Sequence, residues 1–254
     1  MNRKAVFFIV AGLLTVIHGL VFSNSDHYEV EYFKDPDIYV YSPKTIDDEV
    51  IYPVLYLIHG QSQQPTVWED MGLTSVLNSL YESDEIIPFF IVLAHDVNYL
   101  ENMLESGFYD HFVKEIMPFV EENFPVDTAG ENTAIGGISH GAQWAQLIGF
   151  REFGRFGSIG LHSPANPFYS ESTLYSIIRD HPDIPTLRIR IDIGSSDSYA
   201  RIGSELSQQL VELFYPHEYI MSPGGHDLEY WSRNLPDYLK WYSAGFRLKK
   251  LVEI

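Results

Sequence analysis

Six short apolar runs separated by helix-like segments set the tightest limit on how this chain can fold. The runs are Tyr52–Ile58 (YPVLYLI), Ile87–Ala94 (IPFFIVLA), Thr133–Gly136 (TAIG), Gly157–Leu161 (GSIGL), Thr186–Ile193 (TLRIRIDI) and Glu218–Met221 (EYIM). Between and after them lie segments with helical character: Val67–Ser79, Phe108–Asn123, His140–Phe153, Glu171–Asp180, Gly203–Phe214 and Leu228–Phe246. Buried strands alternating with helices predict an α/β fold with a mostly parallel central sheet, covered on both faces by its crossover helices. Upstream, residues 28–41 (YEVEYFKDPDIYVY) alternate apolar and polar in two short pieces, which predicts antiparallel strands at a sheet edge. There is no internal repeat or Gly/Ser linker, so residues 26–254 read as a single domain.

Composition excludes several functions. Asp and Glu outnumber Lys and Arg by 35 to 16, for a formal charge of -19, so a phosphate backbone or an anionic membrane surface would be repelled. Nucleic acid is not an expected partner. With no Cys, the chain has no thiol nucleophile, thiolate metal site or disulfide. Residues 1–25 read as an export element: Arg3 and Lys4 precede an apolar run, Ala5–Phe22, followed by Ser23, Asn24 and Ser25. That is the pattern of a cleavable signal peptide, with Val21 and Ser23 as the small pair, or of a retained anchor spanning residues 5–22. Either reading places residues 26–254 outside the cytoplasm, with membrane contact only through an uncleaved N-terminal segment.

In a parallel sheet, chemistry gathers at the carboxyl ends of the strands. There the run TAIG leads into Gly137-Ile138-Ser139-His140-Gly141, a G-x-S-x-G motif placed before a helical segment. A sharp strand-to-helix turn strains the serine and exposes its hydroxyl, and the flanking glycines let strand and helix approach closely. A serine hydroxyl is a weak nucleophile near neutral pH, so it needs a histidine base and a carboxylate to orient that base. Downstream, acid before histidine, Asp197 and His226 meet the requirement. Asp197 lies in a Gly-Ser-Ser-Asp turn after the run TLRIRIDI, and His226 lies in Pro223-Gly224-Gly225-His226-Asp227, a loop before the last helix. Asp192 competes for the acid position but falls inside an alternating strand, which would point it sideways into the sheet. Asp227 suits the cap of the following helix.

Two backbone N–H groups should line an oxyanion hole. One is that of His140, directly after the serine; the other comes from His59-Gly60-Gln61-Ser62, with Gln61 expected and Ser62 its competitor. The His59 side chain reads as structural, hydrogen-bonded below the site. A metal site from His59, His95, His162 and His226 has no paired-histidine motif to support it, so neither a metal nor another cofactor is expected.

These motifs together resemble the esterase family of α/β-hydrolases that includes esterase D (S-formylglutathione hydrolase), enterochelin esterases, feruloyl and acetylxylan esterases and the antigen 85 mycolyltransferases. The likeness runs from Tyr39 to Trp241. It is carried by Tyr52–Gly60 with Trp68, by Lys114–Val120 with Asn123-Phe124-Pro125, by the serine motif, and by Phe156-Gly157 with Ser163-Pro164-Ala165. Gly194–Asp197 and Gly224–Asp227 complete it. The resemblance implies a serine carboxylesterase with Ser139 as nucleophile, Asp197 as acid and His226 as base. His140 departs from the Met or other apolar residue of many relatives. The expected substrate is a small-molecule or carbohydrate-linked ester, carbohydrate-acyl or siderophore-type. An acyltransferase on the same three residues and a non-catalytic binding protein on a hydrolase fold are the alternatives. Only 22 residues separate Ser163 from Thr186, room for a helix and a turn but not for a separate lid domain.

Overall fold

The computed structural model describes residues 27–152, 154–165 and 187–251. The predicted export segment, the helix expected over Glu171–Asp180 and the stretch bearing on a lid lie outside the described residues.

Eight strands form one sheet in the order β1-β2-β5-β4-β6-β7-β8-β9. The first two, β1 (Tyr28–Phe33) and β2 (Ile38–Pro43), are the two pieces expected over residues 28–41, and they pair antiparallel from Tyr28↔Pro43 to Phe33↔Ile38. Strand β2 then lies antiparallel to β5 (Phe90–Ala94). From β5 onward every pairing is parallel, through β4 (Val54–Ile58), β6 (Thr133–Ile138), β7 (Ser158–His162), β8 (Arg188–Gly194) and β9 (Glu218–Ser222). Each of the six apolar runs therefore overlaps one parallel strand. A separate two-stranded pairing of β3 (Val50–Ile51) with β10 (Lys249–Lys250) was not foreseen, because two residues are too few to show a period.

Both faces of the sheet are covered, as continuous apolar runs require. Alternate residues of β4 enter opposite cores: Tyr56 and Ile58 join one, Leu55 and Leu57 the other. The first core holds the helical stretch α3 (Phe108–His111), a π-type turn over Phe112–Ile116 and α4 (Met117–Asn123), together with α5 (His140–Arg151) and α6 (Ala200–Glu212). The second takes α1 (Val67–Asp70), α2 (Leu73–Glu82) and α7 (Leu228–Gly245). The helix expected over Val67–Ser79 is thus two helices. Gly72 sits between them at φ 87, a conformation that glycine adopts without steric cost.

The junction that matters for chemistry is where β6 turns into α5. An added Cβ on Gly141 would lie 2.2 Å from the Ile58 carbonyl oxygen and 2.6 Å from that of His59; one on Gly137 would lie 2.4 Å from the Gly141 carbonyl carbon. The helix start is therefore packed directly on the end of β4. Backbone atoms cannot swing aside as a flexible side chain can, so a methyl group here forces a backbone shift. Gly141→Ala is expected to cost about 2–3 kcal/mol and to lower the unfolding midpoint by about 5–10 °C. Thermal unfolding followed by circular dichroism checks this; an unchanged midpoint would contradict the packing described.

Candidate active site

The elbow is strained at one residue. Ser139 has φ 54 and ψ −115, between the last residue of β6 and the first of α5. Such a conformation costs a non-glycine residue on the order of 1–3 kcal/mol, and it persists only because the surroundings over-determine it. Here the Ser139 N–H donates to the His162 carbonyl (2.9 Å), its own carbonyl accepts from Ala142 N–H (3.1 Å), and the glycine contacts pin both sides.

Ser139, His226 and Asp197 are brought into one hydrogen-bonded row. The Ser139 hydroxyl donates to His226 Nε2 at 2.8 Å, and His226 Nδ1–H donates to Asp197 Oδ2 at 2.8 Å. The Asp197 carboxylate is fully enclosed, while the imidazole is about one-fifth exposed, so the row opens to solvent at the histidine end. The loops carrying these two residues are tied together: Ser195 N–H donates to Ser222 O, Ser196 N–H donates to Gly224 O, and a Cβ on Gly194 would lie 2.3 Å from Gly224 O. Gly224, at φ 147, makes the turn the sequence anticipated before His226, and Asp227 caps α7 by accepting from Tyr230 N–H (2.9 Å). Tyr199 N–H donates to the second Asp197 oxygen (2.7 Å). The His226 ring is held between Tyr199 (4.9 Å between centroids) and Trp231 (5.1 Å), and Trp231 Nε1–H donates to Ser163 Oγ. No motif marked Tyr199 or Trp231 for this contact.

Asp192 is oriented otherwise. It is buried and pairs with His162 Nδ1, while its other oxygen accepts from Tyr238 (2.6 Å) and Tyr230 (3.3 Å). Tyr242 donates to His162 Nε2 (3.0 Å), its hydroxyl lying where a Cβ of Gly136 or Gly160 would be. Burial, and then the Asp192 charge, push the Tyr238 and Tyr242 phenols well above their ordinary range, so both remain donors. The cluster is joined to the elbow through the Ser139 N–H bond to the His162 carbonyl.

Gln61 lies in the exposed turn after β4, and His140 is the first residue of α5, whose N–H has no partner within the helix. A Cβ on Gly60 would lie 3.4 Å from Ser139 Cβ, so this turn faces the serine. His59 is fully buried; its Nδ1–H donates to Gly60 O (2.8 Å) and its Nε2 accepts from Asp96 N–H (3.0 Å). It is thus a structural histidine, and burial lowers its pKa to about 4. Asp96 was not singled out by any motif, although it follows β5 at the same rim. Its buried carboxylate accepts from Trp144 Nε1–H (2.8 Å), His140 Nε2–H (3.2 Å) and Asn98 N–H (3.1 Å). Burial pushes Asp96 up, but the hydrogen bonds from His140 and Trp144 outweigh it and hold the acid below its ordinary value. Asp96, Asp37, His95, Asn98 and Phe108 line a neighbouring cleft of about 320 Å³. Among the described residues, no group of three or more His, Cys, Asp or Glu side chains is placed to hold a metal ion.

The Esterase family model ("Putative esterase") matches residues 32–242. The chain belongs to this esterase family. It is 31% identical over 122 residues to an endo-1,4-beta-xylanase/feruloyl esterase of Xylanibacter ruminicola, a match covering 44% of this chain and only 16% of that longer protein. It is 23% identical over 234 residues to an acetyl esterase of Caldicellulosiruptor saccharolyticus, covering 79% of this chain and 86% of the relative. A solved ferulic acid esterase superposes with a TM-score of 0.68 at 24% identity, over 86% of this chain and 98% of that one. The fold is that of the α/β-hydrolases.

His59 gives the site a pH signature. A histidine whose folded pKa is depressed binds fewer protons folded than unfolded between the two values, so its contribution is present above pH 6.5 and is lost as pH falls toward 4. That depression corresponds to a loss of about 3 kcal/mol across the window. Urea unfolding at stepped pH measures it, and His59→Gln should flatten the slope between pH 6.5 and 4; an equal slope in the variant would contradict the assignment.

Proposed function

We propose that the protein is an exported carboxylesterase working through Ser139, His226 and Asp197, with a carbohydrate-linked acyl group as substrate. The hydrogen-bonded row from Ser139 through His226 to Asp197 carries the reading. Ser139 Oγ attacks the ester carbonyl while its proton passes to His226 Nε2. The oxygen of the tetrahedral adduct takes the negative charge, facing the N–H groups of Gln61 and His140. Collapse expels the alcohol, which leaves with the proton from His226, and the acyl group stays on Ser139. Water then attacks the acyl-enzyme, His226 again takes the proton, and the carboxylic acid departs with Ser139 restored. Asp197 holds the imidazole in the tautomer that presents Nε2 to the serine and stabilises the imidazolium formed in each half. No cofactor enters these steps.

The substrate class is supported by the names of the relatives, a xylanase/feruloyl esterase and an acetyl esterase. Charge supports it too: a chain of net charge -19 repels polyanions and tolerates neutral polysaccharide. Export rests on the Ala5–Phe22 run behind Arg3 and Lys4. Among the described residues no helix is long and apolar enough to cross a membrane.

Hydrolysis of p-nitrophenyl acetate and of feruloylated arabinoxylan oligosaccharides is the test. Ser139→Ala and His226→Ala should each lower kcat by on the order of 10⁴-fold or more, and Asp197→Asn by a comparable factor, with all three variants folded. Full activity in Ser139→Ala would overturn the reading. Release of free acid, rather than transfer to an added sugar, identifies hydrolysis.

A further inference from the structure

Asp96 joins the two backbone segments that face the nucleophile. Its N–H donates to His59 Nε2 (3.0 Å), and His59 Nδ1–H donates in turn to Gly60 O (2.8 Å), so Asp96 fixes the turn that carries Gln61. Its carboxylate accepts from His140 Nε2–H (3.2 Å) and Trp144 Nε1–H (2.8 Å), so the same residue fixes the first turn of α5, where the N–H of His140 begins the helix. Those two segments come from β4 and β6, and Asp96 reaches both from the end of β5. The linkage is closed off from solvent: Asp96 is 1% exposed, and both of its carboxylate oxygens accept hydrogen bonds, Oδ1 from Asn98 N–H and Oδ2 from His140 and Trp144. The other ring nitrogen, His140 Nδ1, lies 2.9 Å from the Gln143 side-chain amide within the same helix.

We propose that Asp96 and His140 form a positioning pair that sets the spacing between the two N–H donors of the oxyanion hole. The proposal rests on the esterase reading above and goes further, because neither side chain takes part in the proton relay of Ser139, His226 and Asp197. Oxyanion-hole donors act on charge that exists only in the transition state, and loss of one costs on the order of 10²–10³ in kcat. A pair that spaces the donors should therefore change kcat and leave substrate binding almost untouched. A merely structural role would lower stability without separating kcat from KM.

The test uses Asp96→Asn, His140→Leu and His140→Gln in the full-length protein, assayed on p-nitrophenyl acetate. A trifluoromethyl ketone serves as a second probe, since it adds Ser139 Oγ and leaves its oxygen where the oxyanion forms. Asp96→Asn and His140→Leu should each lower kcat about 10–100-fold with KM within about twofold, and should weaken the ketone by the same factor as kcat. His140→Gln keeps a donor toward Asp96 and should restore kcat to within about threefold of wild type. The double variant Asp96→Asn/His140→Leu should be no slower than the worse single variant, as expected of two groups acting as one unit. If Asp96→Asn does not fold, the contrast between His140→Leu and His140→Gln decides alone. Unchanged kcat and ketone affinity in the folded variants, a loss confined to KM, or no rescue by glutamine would overturn the pair. An active wild type, an inactive Ser139→Ala and an unaffected Asp96→Asn would sink this proposal only; an active Ser139→Ala would sink the esterase mechanism itself.

Discussion

The close seat of helix α5 on the carboxyl end of β4 is the contact on which the remaining geometry depends. It exists because residues 137 and 141 have no side chain: at Gly141 even a methyl carbon would stand 2.2 Å from a backbone oxygen. Once helix and strand are that close, the single residue joining β6 to α5 has to adopt φ 54, and Ser139 is that residue. The strain is offset by burial of the rest of the helix, where Trp144, Ala145, Leu147 and Ile148 are all closed to solvent. Apolar packing in the core thereby holds a reactive hydroxyl at the surface in a conformation it would not keep alone.

Three aspartates lie in or just after strands toward this rim, and each meets a histidine: Asp96 with His140, Asp192 with His162, Asp197 with His226. Residue type does not separate them, but the remaining ring nitrogen does. His162 Nε2 is occupied by Tyr242 inside a sealed cluster, and His140 Nδ1 faces Gln143. Only in the third pair does the free nitrogen meet the strained serine. The carboxylates of all three pairs are enclosed, and the His226 imidazole is the most exposed of the three rings, about one-fifth against 12% for His140 and none for His162.

Much of this was legible in the sequence because it depends on short spacings. All six apolar runs fall on the parallel strands β4 to β9, and the G-x-S-x-G motif sits on the β6–α5 turn. Asp192 was separable from Asp197 because alternation in β8 turns it into the sheet. What escaped was tertiary. Asp96 carries no motif, and its partner His140 is 44 residues away; Tyr242 reaches His162 across 80 residues. The helix expected over Val67–Ser79 broke at Gly72, where a local propensity pattern carries no sign of the turn that tertiary packing selects. Pro118 stands just past a π-type turn, a widening that periodicity at 3.6 residues does not register.

The covalent intermediate offers the most direct test. Acid quenching during turnover of an ester with a slowly hydrolysed acyl group, followed by proteolysis and mass spectrometry, locates the acyl group on the chain. The account predicts a single acylated peptide, the one containing Ser139, formed during turnover and absent when residue 139 is alanine. Acyl transfer to a different residue, or turnover at full rate with no acylated peptide under conditions where deacylation is slow, would contradict it.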